Sequence, residues 1–205
     1  MLMPQWNFNH KTLYHIHIPK TAGSTLRHSA QQIGIEVKHI DKSKIEEGIT
    51  KQHQDFKTLS KQFKLDKTNC FVVLREHWER TLSAYNWNTK DDQLAKANSW
   101  LNSVFKQVLN KKIVKDNHFL PQKHFISDQI NIFYLNQLGQ IEKWIQDHFE
   151  KSFKIINSKR AGKVKTYKKI DKETLLDKET LQLWHELYDE DVALWNQQER
   201  KTYVS

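Results

Sequence analysis

Two short stretches of this chain set anion-handling residues directly after strand-like runs. The first is Pro19-Lys20-Thr21-Ala22-Gly23-Ser24-Thr25, which follows the alternating run 13–18 and leads into a helix-like segment. At a helix start the backbone N–H groups have no intrahelical partner and point into the preceding loop, where they attract negative charge. Lys20 adds a formal positive charge, Thr21, Ser24 and Thr25 add hydroxyl donors, and Gly23 lets the backbone approach a ligand closely. The stretch is not a Walker A loop, because Lys20 precedes the loop's one glycine. The competing reading is a capped helix start after a turn. The second stretch is the apolar run 71–74 closed by Arg75, with Ser83 eight residues later and Arg80 on the same helix face. A guanidinium and a hydroxyl converging there suit a phosphate. The competing reading pairs Arg75 with Glu76 or Glu79. His15 and His17, two apart on one strand face, lack a third partner for a metal and read as strand residues; no metal site is expected.

The elements that must position these groups follow from the hydrophobic pattern. Strands are expected at 13–18, 36–40, 71–74, 130–134 and 153–156, the run FVVL at 71–74 being apolar enough for burial on both faces. Helices are expected at 25–33, 55–63, 77–87, 94–109, 137–149 and 178–197, and residues 1–12 read as a flexible arm. Alternating strands and helices predict an α/β architecture, with a central, mostly parallel sheet flanked by helices. In such sheets ligands bind beyond the carboxyl ends of the strands, which is where both anion-handling stretches fall. The Trp and Leu stripe of 178–197 reads as core.

Composition bounds the rest. A chain of 205 residues fits one domain, 1–205, large enough to bury a core without staples. Seven Trp argue against disorder, although mean hydropathy is only −0.79. No stretch approaches the roughly 20 apolar residues of a membrane span, and the first residues carry no apolar signal region, so a soluble cytoplasmic protein is expected. One Cys excludes an internal disulfide and a Cys-rich zinc site. The net charge of +9 attracts anionic partners, or serves simply as a solvated surface.

Together the two stretches point to a family. His17-Ile18-Pro19-Lys20-Thr21-Ala22-Gly23-Ser24-Thr25 resembles the 5′-phosphosulfate loop of carbohydrate sulfotransferases of the heparan and chondroitin type. Phe71-Val72-Val73-Leu74-Arg75, with Arg80, Ser83, Ala84, Tyr85, Asn86 and Trp87, resembles their 3′-phosphate-binding segment. Asp116-Asn117-His118-Phe119-Leu120-Pro121-Gln122 and the tail from Ile156-Asn157-Ser158 to Leu187-Tyr188-Asp189-Glu190-Asp191 are supportive, so the resemblance runs through nearly the whole chain in order.

The resemblance implies a three-layer, P-loop-like fold and transfer of a sulfuryl group from 3′-phosphoadenosine 5′-phosphosulfate (PAPS) to a hydroxyl, most readily on a carbohydrate. Pro19, Lys20, Thr21, Ala22, Gly23, Ser24 and Thr25 would hold the 5′ end of the donor, and Arg75 and Ser83 its 3′-phosphate. Lys20 is the expected donor to the leaving oxygen. The expected general base is His53, 22 residues before Arg75 and just ahead of a helix; His118 is the second choice, and Asp55 stands as a carboxylate alternative. Glu76-His77 replace the family's usual Asp-Pro, which removes a Pro suited to a helix's first turn. The basic residues Lys159, Arg160, Lys163, Lys165, Lys168 and Lys169 read as a loop that closes the cofactor site or tracks an acidic glycan. The absence of an anchor and of disulfides fits a bacterial, phage or viral member. Two rival readings stay open: a kinase-like nucleotide-binding P-loop enzyme, and a non-catalytic basic nucleic-acid-binding module.

Overall fold

The computed structural model describes residues 5–38, 49–89, 94–156 and 170–202. Five strands, β1 (Gln5–Phe8), β2 (Lys11–His15), β3 (Glu36–Lys38), β4 (Cys70–Leu74) and β5 (Asn131–Tyr134), form one mixed sheet in the order β3-β1-β2-β4-β5. β2 pairs with β4, and β4 with β5, in parallel, whereas β1 runs antiparallel to both β2 and β3. β1 is therefore the one reversed strand of the five. The seven described α-helices are α1 (Gly23–Gln32), α2 (Phe56–Gln62), α3 (His77–Asn88), α4 (Ala97–Leu109), α5 (Leu138–Phe149), α6 (Lys172–Leu175) and α7 (Lys178–Thr202).

β4 explains the layering. All five of its residues are buried, as a strand covered on both faces requires. Phe71 and Val73 join Trp6 and Leu13 in a core shared with Leu26 and Ala30 of α1 and Ile141, Ile145 and Phe149 of α5. Cys70, Val72 and Leu74 face the other way, onto Phe56 and Leu59 of α2 and Phe125 of a short 3-10 turn. A third cluster joins α3, α4 and α7 around Phe105, Phe119 and Trp184.

Three expectations are corrected. Residues 5–8 lie within the sheet instead of forming an arm, because Trp6 is fully buried and sets its ring edge-on to His15 and Phe71. Asn9 and His10, both at positive φ, make the two-residue turn that joins β1 to β2, a geometry that matches strand twist. Residues 153–156 form no ladder. The Ile155 N–H donates to Glu142 Oε1 and the Ile156 N–H to Ser29 Oγ, so side chains take the place of a neighbouring strand. The expected strand 13–18 sits earlier, at Lys11–His15, after which only the Ile16 N–H reaches back to the Phe71 carbonyl.

Candidate functional site

The loop from Ile16 to Ala22 leaves the sheet at the carboxyl end of β2. Lys20 and Ala22 adopt left-handed backbone conformations, with φ of 70° and 67°; for residues bearing a Cβ this costs roughly 1–2 kcal/mol each. The turn is pinned from within. Thr21 is buried and its hydroxyl donates to the Ile18 carbonyl at 2.9 Å, so it is not the outward donor expected from its position. Ala22 is the residue before α1, and its carbonyl accepts from Thr25 and Leu26. The amides of Gly23 and Ser24 open the helix ahead of its first internal bonds, and Ser24 is exposed. The space above Gly23 is filled by the protein itself: a Cβ there would lie 2.3 Å from His17 Nε2. Gly23 is therefore required by the His17 ring rather than by an approaching ligand.

Arg75, at the carboxyl end of β4, sits beside this loop. Its Nη1 reaches the Lys20 carbonyl oxygen at 3.4 Å, and its Nε lies 3.5 Å from Glu79 Oε2. Gln122 clasps the Arg75 backbone from both sides, accepting from the N–H at 3.0 Å and donating to the carbonyl at 2.8 Å. Arg80 is buried, donating from Nε to the Pro19 carbonyl and from Nη2 to the Leu120 carbonyl. It ties the first loop to the 116–125 segment. Ser83 is half-buried on α3 and makes no hydrogen bond to Arg75 or Arg80. Glu76 supplies what the absent proline would have aided, since its carboxylate accepts from the Trp78 and Glu79 N–H groups at the start of α3.

His53, buried in a short 3-10 turn, turns Nδ1 to Asp116 Oδ2 at 2.7 Å. A carboxylate only accepts, so Nδ1 carries the hydrogen, and in the neutral ring Nε2 presents the lone pair. Thr50 donates to the same carboxylate from its hydroxyl at 2.9 Å and its N–H at 2.5 Å, and the Asn117 amide donates to the His53 carbonyl at 3.0 Å. Burial works to raise the Asp116 pKa, but His53 and the Thr50 bonds outweigh it and hold the carboxyl below its ordinary value. Lys115, Asp116 and Asn117 all adopt left-handed backbone conformations, a strained run of the kind that gathers at functional sites.

A row of imidazoles crosses this region. His15 and His17 ring centroids are 5.5 Å apart, His17 and His53 5.0 Å, and His53 and His118 5.5 Å. Burial lowers the pKa of His15 to about 3, helped by Arg27, and that of His118 to about 3, helped by His53 and Lys20. His17 is likewise pushed well down by burial and then by His53. Lys20 lies over the Trp87 ring, 4.3 Å from its centroid, while Trp87 itself is 70% exposed. Burial and then Arg75 lower the Lys20 pKa to about 8. Among the described residues no carboxylate lies within ion-pair distance of Lys20. Its ammonium is thus a ready donor beside a second cation, an arrangement that favours an anion.

The structure thus brings Lys20, Arg75, His53 and His118 to one end of the sheet. Asp55 instead caps α2, accepting from the Thr58 N–H at 2.6 Å, and does not join them. Reasoning from sequence passed over Asp116, Thr50 and Asn88 as individual actors. Asp116 stood inside a quoted stretch, but its partnership spans 63 residues and no spacing rule reaches so far. The basic residues 159–169 and Asn157 and Ser158 lie outside the described residues. His53, Asp116 and His118 also bring ligand-capable atoms within 4.8 Å of one another. Compared with protein-family models, curated proteins and solved structures, the chain matches none.

Proposed function

We propose that this protein is a sulfotransferase, moving a sulfuryl group from PAPS to an acceptor hydroxyl, most readily of a carbohydrate, on a P-loop-like scaffold. The observation that carries the reading is the meeting of two strand ends: Arg75 touches the Lys20 backbone at the carboxyl ends of adjacent parallel strands, beside a carboxylate-oriented histidine. The donor carries negative charge at both ends, and the residues present fit it. Lys20 has no carboxylate partner among the described residues, and the amides of Gly23 and Ser24 open α1 in the same loop.

Residues 19–25 hold the 5′ phosphosulfate end, and Arg75 with Ser83 the 3′-phosphate. His53 Nε2 takes the acceptor proton, with Asp116 fixing the tautomer and stabilising the imidazolium that forms. Lys20 leaves the Trp87 face and donates to the bridging oxygen, where charge develops as the S–O bond breaks and the acceptor oxygen bonds to sulfur. Like phosphoryl transfer, the reaction is driven by positioning and charge stabilisation.

Labelled sulfate transfer from PAPS across an acceptor panel tests this, alongside thermal shifts with adenosine 3′,5′-bisphosphate and ADP. Transfer to a sugar hydroxyl and stabilisation by the bisphosphate are expected, and His53→Ala should abolish transfer while keeping bisphosphate affinity. Stabilisation by ADP alone would favour a kinase-like enzyme. Salt-steep nucleic-acid binding indifferent to the bisphosphate would favour a non-catalytic module.

A further inference from the structure

The bonds around His118 fix which of its nitrogens carries the hydrogen. Asn88 Nδ2 lies 2.8 Å from the Ala84 carbonyl oxygen and 2.9 Å from His118 Nδ1. The carbonyl contact identifies that atom as the amide nitrogen, because the flipped side chain would set Oδ1 against Ala84 O, acceptor against acceptor. With one N–H on Ala84, the other points at His118 Nδ1, which must accept. A neutral imidazole has one N–H and one lone pair, so the His118 hydrogen sits on Nε2. Protonating the ring would oppose N–H to N–H, in keeping with its buried, neutral state beside His53 and Lys20.

His53 has the reverse arrangement, with its hydrogen on Nδ1 toward Asp116 and its lone pair on Nε2. The two rings meet edge to face, 63° apart in plane. One ring offers a donor and its neighbour an acceptor, the complement of an alcohol oxygen that accepts one hydrogen bond and donates another. The same bonding disfavours a metal at His53, Asp116 and His118. Such a site needs a lone pair from each ring, and the single lone pair of His118 is taken by Asn88.

We propose that Asn88 is a tautomer lock, holding His118 as an Nε2–H donor to the oxygen of the same hydroxyl whose proton His53 removes. The proposal rests on the reading of this site as one that activates an acceptor hydroxyl. Asn88 is a positioning residue, and His118 is the group that touches the acceptor.

Imidazole 15N NMR of the intact protein should show His118 protonated at Nε2 and bare at Nδ1. Asn88→Asp puts an acceptor opposite Nδ1 and should invert that pattern. It should raise the acceptor KM or lower kcat by about tenfold, the worth of one hydrogen bond, and strengthen Zn2+ binding, read by competition with a chromophoric chelator. His118→Gln, whose amide donates, should retain most transfer, whereas His118→Leu should lose it. A wild-type spectrum with the hydrogen on Nδ1, or tight stoichiometric Zn2+ binding by the wild type, would overturn the lock. So would an inverted Asn88→Asp spectrum with unchanged acceptor kinetics. The wild-type spectrum and zinc titration decide the tautomer even if Asn88→Asp fails to fold. The expected spectrum in a protein that transfers nothing from PAPS sinks the sulfotransferase reading but not the tautomer assignment.

Discussion

An alanine at position 23 would press its Cβ to 2.3 Å from His17 Nε2. The ring would have to leave a crowded position between His15 and His53. We expect Gly23→Ala to destabilise the fold by roughly 1–3 kcal/mol, the usual cost of overpacking, seen as a lower urea midpoint; an unchanged midpoint would mean that His17 has room to move. Lys20 gives a second expectation at this scale. Its folded pKa is lowered to about 8 by burial and Arg75, and only the cation can donate to a leaving oxygen. The cation is present below that value and lost as pH rises through it. kcat/KM, which reports the free enzyme, should therefore fall above about pH 8, and Lys20→Met should remove this limb along with most of the activity. A profile flat to pH 10 would take Lys20 out of the chemistry.

At the scale of elements, Asp191 joins α7 to the 3-10 turn at Gln122–Phe125. Its buried carboxylate accepts from the Gln122 and Lys123 N–H groups at 2.7 and 2.9 Å, and Gln122 in turn clasps Arg75. Asp191→Ala leaves both donors unpaired and should cost about 1–3 kcal/mol, with a matching drop in melting temperature. It should also weaken adenosine 3′,5′-bisphosphate binding through Arg75; unaltered binding would uncouple α7 from the site. The elements that proved legible in sequence were those that carry their own pattern. FVVL announced a strand buried on both faces, and the apolar spacings announced α3, α4, α5 and α7. What stayed hidden depends on partners far along the chain. Gln5–Phe8 is only four residues long, with Trp6 and Phe8 between polar neighbours, and it is the pocket beside His15 and Phe71 that makes Trp6 an anchor. Residues 153–156 read as a strand because Phe153 and Ile155 alternate, but Ser29 and Glu142 satisfy the backbone instead. Lys20, Arg75, His53 and His118 were each named from sequence, and the resemblance assigned Lys20 and Arg75 to one donor; their meeting in space rests on β2 lying beside β4, which no local signal encodes. The role of Arg80 in tying two loops together was hidden for the same reason, since the Pro19 and Leu120 carbonyls that it holds lie 61 and 40 residues away.

Across the whole molecule, a net charge of +9 surrounds a site whose own cations sit close together. Steering of an anionic donor by such a field weakens as salt shortens the screening length to about 8 Å at physiological strength. kcat/KM for PAPS should therefore fall several-fold from low to physiological ionic strength while kcat holds; a salt-independent kcat/KM would confine the attraction to direct contacts. The three-residue left-handed run at 115–117 has a consequence of another kind. Asn, Asp and Gly are the residues most at ease in that backbone, and of these only Asp supplies a charged oxygen to His53. Position 116 thus has almost no neutral neighbours in sequence space: replacements that spare the turn silence the histidine, and others disturb both. Descendants of this chain could wander widely over its lysine-rich exterior, yet would be held to a single letter there.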